Sequence, residues 1–166
     1  MDHAIETSRV LAWLEKVADP EIPVLSIVDL GIVRGVQWHE GTCVVTITPT
    51  YSGCPAMQEI THDIQQCLHQ QGVAAVRVNV VLAPAWTTDW MTEKGRQALH
   101  DYGIAPPQEK AIDISGLLQH RDPVVVPCPL CGSVNTRLVS HFGSTACKAL
   151  YRCMQCSEPF DYFKAH

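Results

Sequence analysis

Two pairs of cysteines near the end of the chain carry the clearest chemistry in this sequence. Each pair has the Cys-x-x-Cys spacing, which places two sulfur atoms on one tight turn. The four residues are Cys128, Cys131, Cys153 and Cys156. Two such turns brought face to face provide the tetrahedral thiolate set that zinc accepts, and a hairpin accounts for the 21 residues between the pairs. The spacing predicts one bound metal ion, with zinc favoured and iron the main competitor.

The segment that carries these pairs, 124–166, is too short to be stabilised by an apolar core alone. Units of roughly forty residues generally need a disulfide or a metal. The N-terminus shows no secretion signal, and cytosolic thiols stay reduced, so a metal is the better expectation. We predict a zinc ribbon of short β-strands in which metal binding and folding are one event. A thioredoxin-like redox role suits a single pair better than two.

Cys54 has the most distinctive setting among the remaining cysteines. It directly precedes Pro55, at the predicted start of a helix, where free N–H groups and the helix dipole favour a thiolate. Cys54 is therefore the candidate reactive or iron-binding thiol, and an inert buried cysteine is the alternative. Cys43 and Cys67 fall on apolar stripes and are predicted to be core residues.

The sequence offers weaker candidates for the same chemistry. The secondary candidates are Cys147, Asp19, Glu21 and Asp29. Cys147 lies close in sequence to Lys148 and Arg152, whose charges lower a thiol pKa, so a partner-facing thiol and a packed side chain both remain open. The three acids concentrate negative charge in the first loops, where they serve as hard oxygen ligands for iron or simply as caps and a solvated face.

Two tryptophans flank an acid in a region with little regular structure. The residues are Trp86, Asp89 and Trp90. Exposed aromatic anchors of this kind often mark protein contacts, so these three are candidate partner-binding residues. Burial of the tryptophans in a core is the alternative.

Composition indicates a globular protein and excludes several classes. Hydrophobic residues make up 46% of the 166 residues and charged residues 17%, which favours a folded chain over a disordered one. A net charge of -5 provides no broad positive field for nucleic acid. The sequence lacks a run of eighteen apolar residues, so we expect no membrane span and a cytoplasmic location.

Hydrophobic periodicity predicts the elements that position these residues. Predicted helices begin near 7, 55 and 92 and end before 19, 72 and 103, and predicted strands cover 32–38, 43–48 and 73–82. This α-β-β-α-β-α order predicts an α+β domain with a three-stranded sheet over 1–103. Prolines and charges without periodicity make 104–123 the predicted linker. In the ribbon, short strands are predicted at 124–126, 138–142, 149–152 and 160–163.

Three segments resemble a known domain family. The segments are 19–24 (DPEIPV), 29–31 (DLG) and 48–55 (TPTYSGCP). Together they resemble the small iron-sulfur assembly domain of SufT-type proteins and of the cytosolic iron-sulfur targeting factors. In that family the cysteine of the Gly-Cys-Pro element is the functional thiol, which implies this role for Cys54.

Three further segments extend the resemblance over nearly the whole chain. They are 84–91, 142–153 and 158–164, and they resemble the PaaD or PaaJ family, whose members are subunits of phenylacetyl-CoA ring 1,2-epoxidases. The resemblance implies bacterial aerobic phenylacetate catabolism, in which a di-iron oxygenase epoxidises the ring and an iron-sulfur reductase supplies electrons. A member of this family is then an accessory that matures or maintains a metal centre, with structural zinc and a transient iron or iron-sulfur cluster as its cofactors.

The residues and the resemblance together support three hypotheses for the function of this chain. The leading hypothesis is a non-catalytic maturation factor that acts through Cys54, because no complete catalytic constellation is present in the sequence. A structural adaptor without cysteine chemistry is the second hypothesis, and an electron relay that carries its own cluster is the third. The expected partners are the other epoxidase subunits, and a homodimer remains open.

Overall fold

A computed structural model of the chain describes residues 6–108 and 125–165. The chain forms two compact units, Met1–Gly95 and Arg96–His166. Within the described ranges, each helix is too short or too polar to span a bilayer.

The first unit has the predicted order of helices and strands, and α3 continues past the division at Gly95. The elements are α1 (Thr7–Leu14), β1 (Val33–His39), β2 (Thr42–Ile47), α2 (Met57–Gln70), β3 (Val76–Val80), a 3-10 turn (Thr88–Trp90) and α3 (Glu93–Asp101). This confirms the α+β class. Helix α1 ends earlier than predicted, because the backbone tightens at Val17, whose N–H bonds to the carbonyl of Leu14. The carbonyl of Val17 then accepts from Ile27 N.

The first sheet combines an antiparallel and a parallel pair in the order β1-β2-β3. The hairpin between β1 and β2 turns at Glu40 and Gly41, both of which have positive φ, as a two-residue turn requires. The parallel pair of β2 and β3 is joined by the α2 crossover. Three β2 side chains facing the helices are fully buried: Cys43, Val45 and Ile47. The helices contribute Val10, Leu14, Ile60, Ile64 and Leu68 to the same core.

The second unit contains an antiparallel sheet in the order β4-β5-β6. The strands are β4 (Thr136–Ser140), β5 (Lys148–Cys153) and β6 (Pro159–Phe163). Its small core consists of Ala105, Val126, Cys128, Ala149, Cys153, Phe160 and Tyr162. The strand predicted at 124–126 is absent at residues 125 and 126, and residue 124 lies outside the described ranges.

The start of the predicted linker belongs to the second unit. Ala105 N donates to the carbonyl of Asp161, and Phe163 N donates to the carbonyl of Ala105, so Ala105 forms a parallel bridge beside β6. Sequence reasoning missed this pairing because one bridged residue leaves no periodic pattern. The rest of the predicted linker, 109–123, lies outside the described ranges.

Candidate functional site

The structure brings the four cysteines of the two pairs together. Their Sγ atoms all lie within 4.8 Å of one another. The Sγ–Sγ distance is 3.8 Å between Cys128 and Cys156 and 3.5 Å between Cys131 and Cys153. A tetrahedral zinc site with Zn–S bonds of about 2.3 Å separates its sulfurs by about 3.8 Å. The donor set therefore fits one four-coordinate metal ion of that size.

Local backbone geometry aims these sulfurs at a common point. Gly132 has φ of 73° and its N–H donates to the carbonyl of Cys128, which closes the first turn. In the second turn the N–H groups of Cys156 and Gln155 donate to Cys153 Sγ, each at 3.4 Å. These amides, with Cys156 the stronger, lower the pKa of Cys153 to about 6. Cys153 therefore favours the thiolate, which is the form that binds a metal. The pKa of Cys156 is instead raised to about 12, because the lowering hydrogen bond with the Glu158 backbone is outweighed by burial and the neighbouring thiols.

The metal site lies at the edge of the ribbon core. Cys128 and Cys153 are buried, Cys156 is half-buried and Cys131 is exposed. Tyr151 stacks on Phe160 beside this cluster, with ring centroids 5.9 Å apart. Four protein thiolates leave no open coordination position, which is the arrangement of a structural rather than a catalytic site.

Cys54 is a half-buried thiol of the first unit and lies in the turn before α2. Burial raises the pKa of Cys54, and the negative charges of Glu21 and Asp19 raise it further. Hydrogen bonds with the backbone of Ala56 and the side chain of Tyr51 lower the pKa, but by less. The predicted thiolate at a helix start is therefore wrong. The reason is that α2 begins only at Met57, and desolvation outweighs the hydrogen bonds.

The loop that carries two of the predicted acids holds them within electrostatic reach of this thiol. Asp19 Oδ1 accepts hydrogen bonds from the backbone N–H groups of Glu21 at 2.8 Å and Ile22 at 2.9 Å. This side-chain cap fixes the turn on which Glu21 stands. The fold thus assembles a thiol, two carboxylates and the Tyr51 hydroxyl. Sequence reasoning missed Tyr51 as a site residue, although its position three residues before Cys54 in the same loop was a usable signal.

Asp29, the third predicted acid, serves a different purpose. Its carboxylate accepts from Ser26 Oγ at 2.8 Å and from Thr92 Oγ1 at 2.7 Å, and Lys94 Nζ lies 3.3 Å away. Burial alone would raise the pKa of Asp29, but the hydrogen bonds from Thr92, Ser26 and Lys94 outweigh it, and the pKa is lowered. Asp29 therefore ties the first loops to the start of α3.

The tryptophan segment divides between core and surface. Trp86 is buried, and its Nε1 donates to the carbonyl of Leu30 at 3.1 Å, so the expectation of an exposed anchor does not hold for Trp86. Trp90 is half-buried, and the guanidinium of Arg34 stacks over its ring at 3.4 Å from the centroid. Asp89 is exposed. A partner-binding role in this segment therefore depends on Asp89 and Trp90.

The remaining lone cysteines lie in protected positions. Cys43 is fully buried, which confirms the predicted core role, and burial raises its pKa. Cys67 is half-buried, and its thiol donates to the carbonyl of Trp13 at 3.5 Å. Cys147 is buried with its Sγ 3.0 Å from Thr145 Oγ1, which favours the packed alternative over a partner-facing thiol.

A buried ion pair beside Cys147 was not anticipated from the sequence. Lys148 Nζ lies 3.7 Å from Asp161 Oδ2, and only 5% of the Lys148 side chain is exposed. Ser144 Oγ donates to the same carboxylate at 3.0 Å. The pair fixes the loop between β4 and β5. No local pattern signals it, because the lysine and the acid meet only across the strands.

Matches to two family models identify the chain as an iron-sulfur assembly domain joined to a metal-binding β-ribbon. The family model described as "Iron-sulfur cluster assembly protein" matches residues 7–80, and the model described as "PaaD zinc beta ribbon domain" matches residues 115–164. The chain belongs to the PaaD family of 1,2-phenylacetyl-CoA epoxidase subunits. It is 51% identical over 161 residues to the member of that family from Escherichia coli (strain K12), covering 96% of this chain and 93% of that protein.

Two further similarities each cover about half of this chain. The Fe-S protein maturation auxiliary factor SufT of Staphylococcus aureus (strain USA300) is 36% identical over 85 residues, which are 50% of this chain and 96% of that protein. The crystal structure of a domain of unknown function from Bacillus anthracis matches with a TM-score of 0.53 and 35% identity, over 56% of this chain and 90% of that one.

Proposed function

We propose that this chain is a non-catalytic accessory subunit of the phenylacetyl-CoA ring 1,2-epoxidase system in aerobic phenylacetate catabolism. In this role it matures or maintains the iron or iron-sulfur centre of the oxygenase or reductase, with Cys54 as the transfer thiol. The observation that carries the proposal is that Cys54 lies within electrostatic reach of Glu21 and Asp19. The similarity to a maturation auxiliary factor over half of this chain supports it.

The surroundings of Cys54 suit temporary binding of a metal cargo. Since burial and two carboxylates raise the pKa of Cys54, the thiol keeps its proton at neutral pH and is a poor nucleophile by itself. An iron cation displaces that proton, and the same carboxylates that disfavour a bare thiolate offset the positive charge of the metal. One thiol with oxygen donors is an incomplete ligand set, which favours release to a client.

The four-cysteine site has a separate, structural role in this proposal. It holds zinc, because four thiolates in a tetrahedral set are a usual ligand set of structural zinc and the four Sγ atoms lie within 4.8 Å of one another. The proposed location is the cytoplasm, where the reducing environment preserves these thiols and Cys54. An electron relay would instead carry an iron-sulfur cluster. Anaerobic purification followed by metal analysis and visible absorption separates the two, because zinc is colourless and a cluster is not.

Coexpression with the other epoxidase subunits tests the transfer role. In a Cys54→Ala background we expect lower iron content of the oxygenase and lower epoxidation than with the natural chain. Cys67→Ala is the matched control, since Cys67 is also half-buried and lies in the same unit. Full iron occupancy and full epoxidation with Cys54→Ala would overturn the proposal.

The structural adaptor is the second candidate because Trp90 and Asp89 remain partly accessible at the surface of the first unit. An adaptor needs a docking surface and no thiol. Intact activity in Cys54→Ala cells, together with lost activity in Trp90→Ala cells, would favour this role over metal transfer.

A further inference from the structure

Two arginines of the ribbon stand directly opposite each other on neighbouring strands. The register of β4 and β5 pairs Arg137 with Arg152, and both side chains are exposed. Residues directly opposite on an antiparallel pair have Cβ atoms about 4.5–5.5 Å apart, and like charges in that position destabilise the sheet. The free protein therefore carries a local electrostatic cost on this face.

The two guanidinium groups have no carboxylate partner within ion-pair distance among the described residues. Arg152 is oriented by a hydrogen bond from its Nε to the carbonyl of Ser157 at 3.3 Å. The β6 residue that pairs with Arg152 is Pro159, which is exposed and uncharged. The row formed by Arg137, Arg152 and Pro159 thus carries two positive charges and no acidic side chain.

The charge of the ribbon contrasts with that of the rest of the chain. Residues 125–165 contain four basic and two acidic side chains, and one of each is used in the buried pair of Lys148 and Asp161. Residues 6–95 contain ten acidic and five basic side chains, and the whole chain has a net charge of -5. Positive charge is therefore concentrated on the ribbon of an acidic protein.

We propose that this face of the ribbon, centred on Arg137 and Arg152, docks an acidic surface of a partner protein. A carboxylate between the two guanidinium groups accepts hydrogen bonds from both and removes their repulsion, so the pair that costs stability in the free chain favours the complex. Two arginines neutralise too few phosphates for an acidic chain to hold nucleic acid. The inference goes beyond the proposed function and uses it only in choosing the epoxidase subunits as the probe.

Neutralising substitutions in the full-length, metal-loaded chain test the surface. The variants are Arg137→Gln, Arg152→Gln and their combination, and the matched control is Arg77→Gln, an exposed arginine on β3 of the first unit. Binding to the purified epoxidase subunits is measured at low and high salt. We expect each single change to weaken binding on the order of tenfold at low salt, the double variant to lose most of the salt dependence, and the control to bind normally.

Thermal unfolding separates docking from a structural role. Arg137→Gln relieves the repulsion, so its Tm should equal or exceed that of the natural chain while its binding weakens; a lower Tm would indicate a structural arginine and overturn the inference. The inference would also be overturned if the natural chain did not bind the epoxidase subunits, or if the double variant bound them as well as the natural chain does. Tighter binding of the natural chain to duplex DNA than to these subunits would overturn it, as would self-association that is lost in the double variant. Iron delivery through Cys54, measured separately, reports on the proposed function alone.

Discussion

Cys54 lies within electrostatic reach of the Glu21 carboxylate, although the two residues are 33 positions apart in the sequence. The first loops and the turn before α2 bring the two groups together, and the Asp19 cap holds the loop that carries Glu21. This relationship makes the reactivity of the thiol a property of the folded first unit. It can be tested without any epoxidase partner.

Replacing Glu21 should make Cys54 more reactive at a given pH. The negative charge of Glu21 contributes to the raised pKa of Cys54, so Glu21→Gln lowers that pKa and enlarges the thiolate fraction. We expect the pH midpoint of alkylation at Cys54, followed by mass spectrometry of its peptide, to move to lower pH. Glu59→Gln, an exposed acid on α2, is the control. An identical profile in Glu21→Gln would show that the two groups do not interact.

Asp29→Asn should destabilise the first unit and change its acid sensitivity. The pKa of Asp29 in the folded chain is lowered from its ordinary 3.8. The ionised carboxylate therefore contributes to the free energy of unfolding above pH 3.8, and this contribution is lost as the pH falls through the lowered pKa of the folded state. We expect a loss of about 1–3 kcal/mol at pH 7 and a shallower decline of stability at acid pH, measured by urea unfolding. Asp89→Asn, a substitution of an exposed acid in the same unit, should leave both unchanged. Equal stability of the natural chain and the Asp29→Asn variant would contradict the tie to α3.

Removal of the metal should unfold the ribbon sheet. Structural zinc contributes on the order of 10–16 kcal/mol in small zinc-binding units, which exceeds the total stability of most domains. We expect Cys131→Ser, an exposed ligand whose replacement leaves the core intact, to lower the metal content and abolish dispersed amide signals from β4, β5 and β6. Cys67→Ser should retain one metal ion per chain. A ribbon that stays folded after chelation would show that packing alone stabilises it.

Gly143→Ala should destabilise the second unit. A Cβ at this position would collide with Asp161 Oδ1 and press on Lys148, which disturbs the buried ion pair between them. We expect a cost of about 1–3 kcal/mol in thermal or urea unfolding of the metal-loaded chain. Gly35→Ala on β1 has open space around its Cβ and should be neutral or slightly stabilising. A neutral Gly143→Ala would mean that the loop between β4 and β5 shifts without cost.

The order of the elements was predictable because it depends on local patterns. The apolar spacing of α2, with Ile60, Ile64 and Leu68 buried, and the alternation of β2 can be read within one segment. The early end of α1 could not be predicted from a local pattern, because it follows from a hydrogen bond between the carbonyl of Val17 and the N–H of Ile27 in another segment. The burial of Trp86 likewise depends on the distant carbonyl of Leu30.

The sequence by itself determined the α-β-β-α-β-α order, the presence of a four-thiolate metal module and the choice of Cys54 as the thiol of interest. These could be read from the sequence because periodicity and ligand spacing are local properties of a chain. Only the tertiary structure decided the charge state of Cys54, the structural use of Asp29 and the pairing of Lys148 with Asp161. Each of these depends on desolvation and on distances between groups far apart in the sequence, and electrostatic energies follow such distances rather than the order of residues.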